Sequence, residues 1–208
     1  MIAESLTTLG RTLGFSFAAG INLYATVAIL GLASRYGWVA LPPQYQVFDN
    51  NWIIGTAIAL YVIEFIADKI PWVDTVWDAV HTVIRPVGGA FIAVTTLGDA
   101  SPATETMVGL LGGTLAAATH FGKAGTRVIA NASPEPFSNW ILSLLEDGFV
   151  VGLGFLALKY PAAAAIVVLA GVAMLIAFAS WIYRALKRRF APGSRGVNST
   201  TPQLPTPK

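Results

Sequence analysis

The chain has 208 residues, 55% of them hydrophobic and 12% charged, with a formal net charge of +2 and no cysteine. Soluble domains carry roughly 25% charged residues, and mean hydropathy here is +0.64. A soluble globular domain is therefore excluded, as are disulfides, thiolate zinc sites and cysteine nucleophiles, and an all-α polytopic membrane protein is expected.

A membrane-spanning helix needs about 20 mostly apolar residues. In chain order the segments that meet this are Leu13–Ser34, Asn51–Lys69, Trp72–Leu97, Thr106–Ala130, Asn139–Leu158 and Ala162–Leu186. Glu4 stands where a signal peptide would be basic, so the first apolar segment is expected to be retained. The third segment is polar in its first half and expected to kink at Pro86. The sixth ends in Trp181, Tyr183 and Arg184, an aromatic belt followed by basic residues. Residues 1–187 are expected to form the membrane domain, and 188–208 a disordered, basic, Pro-rich cytoplasmic tail.

Six spans place both termini on one side, and the basic run RALKRR assigns that side to the cytoplasm. Arg11, Lys69, Lys123 and Arg127 then face inward with it, while Arg35 and Lys159 lie outside. That basic cluster reads as a topology signal, not a nucleic-acid site, and the bilayer of a bacterial inner membrane is the expected surrounding.

The two halves overlay. SFAAGINLY (16–24) resembles TLAAATHFG (114–122), NWII (51–54) resembles NWIL (139–142), and ADKIP (67–71) resembles ALKYP (157–161). This sets repeat one at about 10–98 and repeat two at about 104–187. Three spans per half make the copies opposite in orientation, an architecture common among secondary transporters.

The chemistry concentrates in residues 61–86. On the third segment Asp74, Asp78, His81 and Arg85 fall at i,i+3 and i,i+4 spacing and form one stripe, opposite Val73, Val76, Val80 and Val83. Charge facing hydrocarbon costs several kcal/mol, so the stripe must face protein or water. Carboxylates supply oxygen ligands or proton acceptors, His81 titrates near neutrality, and Arg85 can neutralise Asp78. Asp68, Lys69 and Asp74 flank Pro71 and read better as a salt-bridged helix end in the headgroup region, with Trp72 and Trp77 as belt anchors. Glu64, Asn22, His120 and either Glu146 or Asp147 complete the candidate ion- or solute-binding set. Adjacent acids point to different faces, so at most one of Glu146 and Asp147 should meet a given partner. The bland alternatives are interhelical hydrogen bonds for Asn22 and His120, and pairing with Arg85, Lys123 or Arg127 for the acids. Asp78-x-x-His81 is a weak metal signal, and no enzyme motif or cofactor fingerprint is present.

GINLYATV, then Y-x-x-E-F-x-A-D-K-I-P-x-V-D-x-x-W-D-x-x-H-T-x-I-R-P-x-G-G-A, resembles a bacterial family of small integral membrane proteins carrying a domain of unknown function. The resemblance spans roughly residues 10–186 and implies no activity. The three-plus-three arrangement is similar, at fold level, to lysine-exporter-type small transporters, whose acidic glycine-containing motifs are not matched. The expected function is movement of a small ion or solute through a polar site between the repeats, with proton coupling an option. A non-transporting scaffold or accessory subunit with a buried salt-bridge network is the alternative, and a lipid-headgroup enzyme a third class. Association into a homo-oligomer stays open.

Overall fold

The structure, a computed structural model, describes residues 2–131 and 137–190. It is all-helical over those residues: α1 (Ile2–Ile21), α2 (Leu23–Tyr36), a 3-10 turn (Pro43–Phe48), α3 (Asn51–Ala67), α4 (Pro71–Leu97), α5 (Pro102–Asn131), α6 (Phe137–Lys159) and α7 (Pro161–Phe190). Among the described residues three helices are long and apolar enough to cross a bilayer, α4, α6 and Pro161–Arg188 of α7; α3 is a shorter apolar helix. The expected tail falls almost wholly outside the described residues, although α7 continues to Phe190 and so past residue 187.

Residues up to Leu175 form one compact unit. Prolines open α4 and α7 at the first helical position, where a missing N–H costs nothing. Asn50 caps α3 by accepting from the Trp52 amide at 2.8 Å, and Gly37 closes α2 in the left-handed conformation (φ +59°). The second unit begins at Ile176. Its described part continues as helix, with exposed Trp181 and Tyr183, and the Phe178 and Trp181 rings stack at 6.3 Å.

The single span expected over 13–34 is not there. Asn22 is extended (φ −146°, ψ 99°), and its side-chain oxygen caps α2 by accepting from the Ala25 amide at 2.9 Å. That one residue reverses the chain. Coming down α1, Arg11 donates to the Leu158 carbonyl (3.2 Å), Thr12 bonds Thr96 (3.0 Å), and Lys123 donates to the Ile21 carbonyl (3.4 Å). α1 is thus antiparallel to α4 and α6 and parallel to α5. Going up α2, Asn22 meets Asp147 (3.1 Å), Ile29 lies against Gly154 and Gly31 against Ile54. α2 is therefore parallel to α6 and antiparallel to α3. α1 and α2 form a hairpin. The start of α1 and residues 37–50 share one end of this unit, called upper here, and the turn at 68–70 marks the lower end.

This geometry also breaks the internal repeat as overlaid. NWII with NWIL and ADKIP with ALKYP pair helices running in opposite senses, α3 with α6 and α4 with α7. SFAAGINLY with TLAAATHFG pairs α1 and α5, which run in the same sense, so one inverting operation cannot relate all three matches. The match came from small residues that both helices need for close approach: a Cβ on Gly20 would collide with Ala116 and Thr119.

Above the hairpin tip the core is mainly apolar, built from Phe15, Phe17, Leu30, Phe48, Ile92, Leu115, Val150 and Leu153, with Arg11, Thr12 and Thr96 buried toward the upper end. Below it the interior is charged. α4 runs through Pro86 as a single helix. It buries Asp74, Asp78, His81 and Arg85 and exposes Val76, Val80, Val83 and Val87.

Candidate functional site

The α4 stripe meets a second stripe on α5, where His120, Lys123, Arg127 and Asn131 follow at helical spacing. α3 adds Glu64 and Asp68, α6 adds Glu146 and Asp147, and the hairpin adds Asn22 and Tyr24. The charged column runs from the lower end to the hairpin tip.

At its foot, Asn139 donates to the Asn131 side-chain oxygen (2.7 Å), and Asn131 donates to Asp74 (3.1 Å). Arg127 reaches three carboxylates: Asp68 at 2.9 Å, Glu146 at 2.5 Å and Asp74 at 3.7 Å. It also donates to the Asp68 carbonyl at 2.8 Å. One turn higher, Lys123 Nζ sits 3.0 Å from Asp68, 3.4 Å from Glu64 and 3.5 Å from Glu146. Arg85, fully buried, holds Glu64 at 2.8 Å and Asp78 at 3.2 Å.

The two histidines have their tautomers set by their partners. Arg85 has no acceptor, so its 2.7 Å contact makes His120 Nδ1 the acceptor. His120 Nε2–H then donates to Thr82 Oγ1 (3.1 Å), whose hydroxyl donates to the Asp78 carbonyl (3.0 Å). His81 Nδ1–H donates to the Trp77 carbonyl (2.7 Å), leaving Nε2 to accept from the Tyr24 hydroxyl (2.9 Å). Trp77, expected as a belt anchor, instead stacks on His81 with ring centroids 4.5 Å apart. Trp72 is exposed as expected.

All eight sequence candidates, Asp78, His81, Arg85, Asn22, His120, Glu64, Glu146 and Asp147, border this one column. Glu146 and Asp147 both face it, with different partners: Arg127 and Lys123 for the first, Asn22 for the second. Asp68, the C-cap of α3, and Asp74, in the first turn of α4, are salt-bridged helix ends as expected, and both are also buried members of the column. Lys123 and Arg127 pair with Glu146, as the alternative reading of the acids expects, and being buried they carry, like the buried Arg11, no topology vote. The i,i+4 spacing of Lys123 and Arg127, three and seven residues after His120, was the available signal. Lys69 stays partly exposed, with its ammonium 3.0 Å above the Phe65 ring and 2.9 Å from the Phe65 carbonyl.

Within the column Glu64, Asp68, Asp74, Asp78 and Glu146 face Arg85, Lys123 and Arg127, so carboxylates outnumber guanidinium and ammonium groups. Oxygens of Glu64 (Oε2), Asp68 (Oδ1) and Asp147 (Oδ2) are buried without a hydrogen-bond partner. Among the described residues no three His, Asp or Glu side chains are grouped to hold a metal ion.

A family model described as Domain of unknown function (DUF4126) matches residues 9–184. No curated protein and no solved structure gives a significant match.

Proposed function

The chain belongs to the family described as Domain of unknown function (DUF4126), a description that names no activity, and from the geometry of the column we propose that it moves a small ion or solute across a membrane. The carrying observation is the hairpin whose tip, Asn22, ends inside the buried charged column. Backbone that reverses at membrane depth is sustained only where protein buries it or a water-filled cavity meets it, and broken helices of this kind build the binding sites of many transporters. The dipoles agree with the side chains: Lys123 faces the carbonyl end of α1, and Asp147 bonds the residue that caps the amino end of α2. In this reading the solute enters the column from the lower end, and the apolar core above Asn22 closes the upper half.

Five crossings, α3 to α7, plus the re-entrant hairpin replace the six spans. α2–α4 and α5–α7 alternate in opposite senses, so an inverted three-plus-three plan of the lysine-exporter type fits with α1 as an addition. The basic run RALKRR reads as a cytoplasmic flank.

One observation favours the scaffold reading, namely the density of pairing: Arg85, Lys123 and Arg127 each lie within 4 Å of at least two carboxylates. A 370 Å³ cavity between α2 and α3, lined by Leu23, Tyr24, Val27, Trp52, Thr56 and Leu60, touches the column only at Tyr24. Thiol accessibility separates the two readings. With no cysteine in the chain, Ser143→Cys, buried on α6 one turn before Asp147 and within reach of Lys69, and Asn22→Cys should react with an impermeant thiol reagent applied to the lower side of membrane vesicles. Ala18→Cys, in the apolar core, should not. Folded variants silent at both polar positions would reject transport for the scaffold.

A further inference from the structure

The charges of the column are not distributed evenly. Going up from the lower end, every carboxylate has a guanidinium or ammonium group within 4 Å until Asp147. Asp147 is 8% exposed, and its one described hydrogen bond is Asn22 Nδ2 to Oδ1 at 3.1 Å. Its other oxygen, Oδ2, is buried and unpartnered. Asn22 cannot swing to serve that oxygen, because its own Oδ1 is committed to the Ala25 amide at 2.9 Å.

The groups facing Asp147 compound the problem. From α3 come the carboxylates Glu64 and Asp68 and the phenol of Tyr61; Glu146 adjoins it on α6. The facing cations are Lys123, engaged with three carboxylates, and Lys69, which bonds the Phe65 carbonyl and Ser143. Glu64, Asp68 and Glu146 are matched by their own cations, whereas Asp147 has no ion pair among the described residues, and a buried carboxylate without a counter-charge is held neutral or holds a cation. A sodium-sized ion needs several converging oxygens, and among the described residues no three carboxylate or imidazole groups are placed together to hold one. A proton needs one.

Resting on the transport reading, we propose that Asp147 is the proton-carrying group of this protein and that its substrate class is the proton, alone or coupled to a second solute. Oδ2 takes a proton delivered up the column from the lower side, so the carboxylate becomes a carboxylic acid and the local charge rises by one. Release reverses the step. The hydrogen bond to Asn22 places this change at the tip of the hairpin.

Infrared difference spectroscopy of the full chain in lipid vesicles, taken between high and low pH, reads the carboxylic C=O stretch directly. The wild type should show a protonated-carboxyl band that is lost in Asp147→Asn, retained at a shifted frequency in Asp147→Glu, and unmoved by sodium at constant pH. A band that survives Asp147→Asn in folded protein overturns the proposal. So does a band abolished by sodium, which would assign the site to a monovalent cation. The result is independent of the thiol test: silent Ser143→Cys and Asn22→Cys variants beside a titrating Asp147 reject passage through the column and keep the protonation site.

Discussion

Arg127 is 1% exposed and is the hub of the lower column. Its replacement by glutamine leaves Asp74 without its described counter-charge and Asp68 and Glu146 with Lys123 alone, and removing one partner of a buried pair costs about 3–5 kcal/mol. Arg127→Gln should therefore lower the thermal midpoint in detergent by many degrees or prevent accumulation of folded protein. Arg35 pairs with Asp49 at 2.7 Å, both about one-third exposed, and Arg35→Gln should cost less than about 1 kcal/mol. Equal effects would mean the burial of the column is not what holds the fold. Asn22 combines two roles at one position. Asn22→Ala loses a helix cap worth roughly 1 kcal/mol and the Asp147 hydrogen bond together. Asn22→Ser, which can still cap, should recover part of the loss in the same melting assay.

At the scale of elements, the helices approach where glycine lets them. A Cβ on Gly20 would meet the Ala116 backbone and Thr119, and one on Gly112 would meet Ala93 and the Gly89 carbonyl. Gly20→Ala should force α1 from α5 and cost about 1–3 kcal/mol. Gly148→Ala and Gly152→Ala have open space at the new atom and should be neutral or stabilising by up to about 1 kcal/mol from helix propensity. Thermal melts of the three variants test the contrast. The helices themselves were legible in the sequence, since α3, α4, α6 and the start of α7 follow apolar runs, and the stripe on α4 follows from spacing along a single helix. The hairpin was not. A segment of 22 residues with one Asn in it has the hydropathy of a straight span, and only packing against α6 and α3 shows that the chain turns back. The α5 stripe obeys the same spacing as the α4 stripe, yet the sequence alone leaves Lys123 and Arg127 two readings, markers of a membrane face or partners of the acids, and only the second describes where they lie. Charge alone does not say whether a carboxylate waits on a neighbouring helix.

For the whole molecule, the hairpin fixes which parts of the chain share a side. Leu6 and Trp38 are both exposed and both belong to the upper end. In sealed vesicles Leu6→Cys and Trp38→Cys should be labelled from the same side and Lys69→Cys from the other. Labelling of Leu6→Cys and Trp38→Cys from opposite sides would restore a straight first span and remove the hairpin from the transport argument. That eight candidates gathered in one place has a physical reason: ionisable groups inside a bilayer have nowhere to go except toward each other.

The division into a charged lower half and an apolar upper half has an electrical consequence. Polar, polarisable material supports little voltage, so a membrane potential applied across this protein would fall mainly over the layer around Phe15, Phe17, Leu30, Phe48 and Val150. A charge reaching Asp147 from below would cross a small part of the field, and one passing from Asp147 to the upper face would cross most of it, at up to about 2.3 kcal/mol per 100 mV. Voltage would then act on the step that opens the apolar layer and leave occupancy at the hairpin tip to the proton concentration below.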